Sequence, residues 1–385
     1  MNGDAAHHPA LLPAGLRDLL PPEAEIEAAA VETVMAAFAA HGYARVKPPL
    51  LEFEDTLLTG SGAAVADQIF RLMDPDTRRM MGLRADMTPQ VARIASTRLA
   101  GAARPLRLSY AGQGLRVHGN AIAPDRQVAQ AGIELIGHDS PEADAEIVLV
   151  GAEALRRLGI SAISFDLTMP RFISTLLDES GVREAAGGAL ALALDRKDAA
   201  GVAAHGGRLA GVLTDLLQAA GPSAGALAAL GLAGLPPMAR RLADRLGDVA
   251  AAIRGRDPGL LLTVDPVEFR GFKYHTGVAM TVYALDRPEE LGRGGRYVVG
   301  EDGAGEPATG LTLYPDAMLR AAPTPAVAPR LFVPQGGDGA AWRARGYVTV
   351  AGLDRADPAG EAVRLGCSHW LSDSELVPAG SRKGG

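Results

Sequence analysis

Gln130 and Glu134 stand four apart in QAGIELIG, a run with the composition of a strand. Strand side chains alternate with a period of two, so this amide and this carboxylate project the same way, with Gly132 between them. The strand-like run just upstream, LRLSYAGQGLR, puts Tyr110, Gly112, Gly114 and Arg116 on one parity. Two readings are open at this point: a floor with a gap over Gly132 for a ligand, or a solvated sheet face with scattered polar residues. Further polar residues lie beside glycine or proline. In LRADMTPQVARIAS, Thr88 reads as a helix N-cap with Pro89 at the first helical position, and Asp86 as a favourable charge at that helix start. VEFRGFKYHTG gathers Arg270, Tyr274 and His275, the last at opposite parity to the other two. Acids and amides that take an ammonium or a ring N–H, with arginines that take a carboxylate, are the groups an amino-acid pocket requires.

Composition narrows the alternatives. The chain has 385 residues, 48% of them hydrophobic, enough for two or three ordinary domains. A formal charge of -7 argues against a general polyanion binder. The single cysteine, Cys367, excludes an intramolecular disulfide and a Cys-rich zinc site. His7 and His8 read as solvated tail residues, and neither a metal nor a cofactor is expected. No apolar run approaches the roughly 20 residues of a spanning helix, and MNGDAAHHPA does not resemble a signal peptide, so a cytoplasmic chain without membrane contact is expected. No Walker A sequence, HExxH, GxSxG or plausible Cys nucleophile occurs, and GRGGRY lacks the context of a dinucleotide fingerprint.

The elements that must position these residues follow from periodicity. A helix is predicted from Glu23 to about His41, with Ile26, Ala30, Val34 and Phe38 on one face, and then a strand-like YARVKPPLLEFED broken by Pro48 and Pro49. That pair is a candidate dimer element. DQIFRLMDPDTRRMMG alternates as a hairpin turning at Asp74 to Asp76. A helix around Ser140 to Leu158 and a strand from Ile160 to Leu167 come next. The texture between about Arg171 and Leu260 is helical, rich in Ala, Leu and Gly. Strands return at 261–265, 278–284 and ATGLTL, and the tail after Pro329 reads as two or three short strands with a helix.

Together these stretches resemble the catalytic core of a class II histidyl-tRNA synthetase over residues 13–320. PAGLRDLLPPE resembles that family's opening segment, VKPPLLE its dimer-forming first motif, and YAGQGLRV through QAGIELIG its second motif. FRGFKYHTG, with GRGGRY downstream, resembles its histidine-specific loop. The resemblance implies an α+β fold, a class II aminoacyl-tRNA synthetase-like antiparallel sheet flanked by helices. Residues 1–170 and 261–328 would form the core, 171–260 a helical insertion and 329–385 a small C-terminal α/β segment. It implies histidine contacts at Asp86, Thr88, Arg116, Gln130, Glu134, Arg270, Tyr274 and His275.

The departures point elsewhere. Where the second motif would continue with an acid and an arginine for ATP, the chain reads Val117, His118, Gly119. The third motif's phosphate-binding arginine is replaced by Ala317, and Pro315 is expected to break the helix start. The tail is shorter than an anticodon-binding domain of roughly a hundred residues. A histidine-shaped pocket without ATP machinery resembles the regulatory subunits of ATP phosphoribosyltransferase. That family implies no catalytic residues of its own and a short-form catalytic subunit as partner. The partner joins ATP and phosphoribosyl pyrophosphate in the first step of histidine biosynthesis. The resemblance further implies L-histidine as feedback ligand, a homodimer within a hetero-oligomer, and no tRNA binding. A divergent histidyl-tRNA synthetase and a stand-alone histidine-binding protein remain alternatives at this point.

Overall fold

The helix expected near the start forms as α1 (Glu23–Ala40), burying Ala30, Val34 and Phe38 on the face their four-residue spacing marks. In this computed structural model the described residues are 11–119, 124–182, 187–268, 274–286, 289–300, 305–324 and 328–380. After α1, β1 (Ala44–Arg45) and β2 (Leu51–Phe53) lie on either side of Pro48 and Pro49, which have no N–H to give a ladder. The short α2 (Glu54–Leu57) leads towards the expected hairpin, β3 (Phe70–Met73) and β4 (Met80–Leu83), which pair antiparallel. With β2 they make a small sheet ordered β2-β4-β3.

The next helix, α3 (Thr88–Ser96), corrects one expectation. Met87 is its N-cap and Thr88 its first residue, so the Thr88 hydroxyl is not spent on capping. β5 (Leu106–Leu115) and β6 (Gln127–Ile136) then form a ten-residue antiparallel ladder. α4 (Pro141–Arg157) is capped by the Ser140 hydroxyl, which accepts from the Ala143 N–H, and precedes β7 (Ile163–Thr168).

Between residues 171 and 260 come α5 (Phe172–Glu179), α6 (Gly187–Asp195), α7 (Ala199–His205), α8 (Ala210–Ala219), the two-residue β8 (Gly221–Pro222), α9 (Ser223–Leu232) and α10 (Pro237–Arg256). β9 (Leu261–Asp265), β10 (Ala279–Ala284), β11 (Glu289–Val299) and β12 (Glu306–Leu313) complete a nine-stranded sheet. Its order is β1-β5-β6-β12-β11-β10-β7-β9-β8, antiparallel through the six strands from β5 to β7, with β1 parallel to β5 and β9 parallel to β7. α11 (Pro315–Ala321) follows β12 directly. Pro315 begins this helix rather than breaking it, because the first helical position needs no N–H donor.

One face of the sheet is covered by a large core drawing on α1, α4 and α10, with Val34, Ile147 and Val249 among its fully buried members. A smaller cluster of Met87, Val91, Leu108, Tyr110, Ile136 and Tyr297 lies between α3 and the other face.

The chain divides into two compact units, Met1–Pro323 and Thr324–Gly385. The second has more elements than its sequence suggests: β13 (Arg330–Val333), α12 (Ala340–Arg343), β14 (Val348–Ala351), α13 (Pro358–Arg364), β15 (His369–Ser372) and β16 (Glu375–Pro378). Its sheet runs β14-β13-β15-β16, around Phe332, Ala362, Cys367 and Trp370. Strands of four residues give too little alternation to be counted from sequence.

Candidate functional site

Register brings the site together. Glu134 on β6 lies between Leu108 of β5 and Gly310 of β12, and Gly310 lies opposite Gly295 of β11. A Cβ at position 310 would stand 1.9 Å from Glu134 Oε2, so glycine is what lets the carboxylate turn across β12. Glu134 is 1% exposed. Its Oε1 accepts from the Thr88 hydroxyl at 3.1 Å and from the Tyr110 hydroxyl at 3.2 Å, and its Oε2 from the Tyr297 hydroxyl at 2.9 Å. Tyr110 also bonds Thr312 Oγ1 at 2.7 Å, extending the network one strand further.

Among the described residues this carboxyl has donors but no cation bonded to it. Burial pushes it up to about 8; the Tyr297 and Thr88 hydrogen bonds draw it down, and the Asp86 charge pushes it up again. Burial, followed by the charge on Glu134, holds the Tyr110 and Tyr297 hydroxyls well above their ordinary range, so both remain neutral donors. Tyr274 is raised too, by burial first and then by Asp86 and Glu134.

A small open cleft faces Glu134 and is also lined by Thr88, Tyr274, His275, Arg293 and Thr312. Tyr274 and His275 form a wall, their rings stacked at 4.2 Å, and Tyr274 meets Tyr297 edge-on at 5.9 Å. Asp86 and Gln130 support the rim: Asp86 Oδ1 accepts from the Thr88 N–H at 2.9 Å, and Gln130 Oε1 from the Met87 N–H at 3.1 Å.

Of the eight residues singled out in the sequence, Thr88, Glu134, Tyr274 and His275 line this cleft, with Asp86 and Gln130 fixed to it through backbone N–H groups. Arg116 does not line it. It is half-buried just past the end of β5, and its charge is felt at Tyr314. Arg270 lies outside the described residues. The gap expected over Gly132 is filled: a Cβ there would fall 2.4 Å from the Tyr110 ring, so the space belongs to the Tyr110 side chain. Tyr110, Arg293, Tyr297, Gly310 and Thr312 were not singled out as ligand-facing. The cue for Tyr110 is its parity in LRLSYAGQGLR; for the others it lies in GRGGRY and ATGLTL, whose alternate residues face Glu134 only once β11 and β12 are placed beside β6.

A second hollow lies where α11 begins, lined by Gly15, Arg17, Glu27, Gln113, Asp125 and Asp316 among others. Arg17 bonds Asp316 at 3.2 Å and lies 4.0 Å from Asp125. Burial, followed by the Asp316 charge, pushes the Glu27 carboxyl up. Three acids against one guanidinium would repel phosphates rather than hold them. Among the described residues no group of His, Cys, Asp and Glu could hold a metal ion, and no helix is long and apolar enough to cross a membrane.

A family model described as histidyl-tRNA synthetase matches residues 15–318. The ATP phosphoribosyltransferase regulatory subunit of Paramagnetospirillum magneticum is 54% identical over 372 residues, spanning 96% of this chain and 97% of that relative. The protein of the same name from Gluconobacter oxydans is 52% identical over 373 residues, again 96% of this chain and 97% of the relative. Among solved structures, an ATP phosphoribosyltransferase regulatory subunit/histidyl-tRNA synthetase from Bacillus halodurans superposes with a TM-score of 0.78 at 23% identity, covering 94% of this chain and 97% of its own. Histidyl-tRNA synthetase from a Nostoc species gives the same TM-score at 16% identity, covering 94% and 91%. At such identities these two structures speak for the class II synthetase fold alone.

Proposed function

The chain belongs to the ATP phosphoribosyltransferase regulatory subunits, built on the histidyl-tRNA synthetase core, and from that premise we propose that its Glu134 cleft binds L-histidine and relays feedback to the catalytic subunit. It is a regulatory subunit of that enzyme and not itself catalytic. The observation that carries the histidine reading is Glu134: a buried carboxyl group that, among the described residues, is supplied with hydroxyl donors but no cation, and that faces a cleft. A histidine ammonium or imidazolium placed there would offset the burial that keeps the carboxyl protonated. Asp86, Thr88, Gln130, Tyr274 and His275 would shape the rest of the pocket, with Arg116 and Arg270 as further candidates for the anionic end.

The effector would act by favouring one arrangement of a hetero-oligomer with the short-form catalytic subunit, for which coupling of about 1–3 kcal/mol suffices. Self-association into a homodimer is supported by the small sheet. Leu51, Phe53, Phe70, Leu72, Met81 and Leu83 share one face through directly opposed pairs, and each is half-buried or exposed. We place the protein in the cytoplasm and assign it no tRNA.

The test mixes the chain with a short-form phosphoribosyltransferase and measures turnover with and without histidine, beside calorimetry of the chain alone. We expect the mixture to be active and inhibited by histidine, and Glu134→Ala to abolish histidine binding while the chain stays folded. Unchanged affinity in that variant would place the pocket elsewhere. Histidine-dependent ATP–pyrophosphate exchange by the chain alone would contradict the regulatory reading.

A further inference from the structure

Arg293 was not among the residues singled out from sequence, yet among the described residues it is the cation that lines the Glu134 cleft. It sits on β11 directly opposite Thr312 of β12, and Thr312 is bonded to Tyr110, which is bonded to Glu134. Carboxylate and guanidinium thus stand at two ends of one polar row. Glu134 is two strands away from Arg293 and one side-chain repeat along, which puts their Cα atoms about 12 Å apart for strands spaced about 4.8 Å with a rise of about 3.3 Å per residue. By register the two residues share one face of the sheet with Gly310 and Gly295, and both line the same cleft.

Glu290 fixes the guanidinium. It accepts from Arg293 Nε at 2.5 Å and from Nη2 at 2.7 Å, a two-point contact that sets the plane of the group as well as its position. The exposure of Arg293 is that of a residue on the cleft's open side, whereas Glu134 lies at its closed end.

We propose that Arg293, oriented by Glu290, takes the carboxylate of the amino acid whose cationic end Glu134 takes. The proposal rests on the histidine reading above and fixes the ligand's direction: the nitrogen end points inward and the carboxylate lies towards β11.

The experiment compares L-histidine with L-histidinol, which carries a hydroxymethyl group where histidine has its carboxylate, by calorimetry on the full chain. The wild-type chain is expected to prefer histidine by about 10- to 100-fold, the scale of a charge-assisted contact. Arg293→Gln is expected to bind both equally, at the wild-type affinity for histidinol, and Arg293→Lys to recover part of the preference. Should Arg293→Gln fail to fold, Glu290→Gln carries the test, with a preference several-fold smaller than wild type and histidinol binding unchanged. A full wild-type preference in the folded variant overturns the proposal and leaves the Glu134 pocket standing. A wild-type chain that binds neither compound overturns the histidine reading and this proposal with it.

Discussion

Glu134 and Asp144 are buried to the same degree, at 1% and 0% exposure, on the two sides of one sheet. Consecutive residues of β11 reach them: Arg296 contacts Asp144 at 2.8 Å, and Tyr297 bonds Glu134 at 2.9 Å. Asp144 meets a second guanidinium, that of Arg245, at 3.3 Å. Burial pushes its carboxyl up and the two arginines pull it back, so its charge is matched within the chain. Among the described residues, Glu134 is hydrogen-bonded by hydroxyls alone. Burial alone therefore does not mark a functional acid; what does is a buried acid with no cation bonded to it among the described residues, placed beside a cleft.

Three measurements break or sharpen that contrast. The largest effect is expected at the matched acid. Asp144→Ala leaves buried Arg296 without its main partner and should cost about 3–5 kcal/mol of stability by denaturant titration. Glu134→Gln, which keeps the hydrogen-bonded shape, should cost little. Equal losses at the two positions would erase the distinction. Next comes Gly310→Ala, whose Cβ would overlap Glu134 Oε2. It should cost about 1–3 kcal/mol by the same assay and weaken histidine binding as the carboxylate is displaced. Normal binding there would show that Glu134 need not turn across β12.

The third measurement is of pH dependence, where the effect per pH unit is smaller. An unfolded glutamate ionises near its ordinary 4.5, whereas folded Glu134 holds its proton up to about 8. Between those values the folded state binds more protons, so stability falls as pH rises, by at most about 1.4 kcal/mol per pH unit from this group. Glu134→Gln should remove that component of the slope. The proton count on binding also reports the ligand's direction. Near pH 7, an ammonium against Glu134 releases a proton to buffer, while a neutral imidazole takes the proton from Glu134 with no net release. Calorimetry in buffers of different ionisation enthalpy separates the two.

Much of this architecture was legible in the chain itself. The β5–β6 pair, the hairpin of β3 and β4, α1 and α4 all follow from spacing, and Gln130 and Glu134 stood out by parity. Features that depend on distant segments meeting were not legible. Thr88 reads locally as a cap, but its hydroxyl goes to Glu134, 46 positions away in the chain. Gly132 reads as a gap, but Tyr110 from the neighbouring strand fills it. Arg293 reads as one charge in a glycine-rich strand until β11 and β12 set it across from Thr312. Local propensity carries element type, whereas a site assembled across four strands is fixed by register.

The helices between residues 171 and 260 show where cooperativity resides. Leu176, Leu213, Leu230 and Leu246 belong to the same continuous core as Phe165 of β7 and Leu262 and Val264 of β9. They should therefore melt with the sheet in a single transition instead of as a separate body. Deleting them would uncover the apolar side of two strands, so a lineage could shed this region only by evolving a new cover for the sheet.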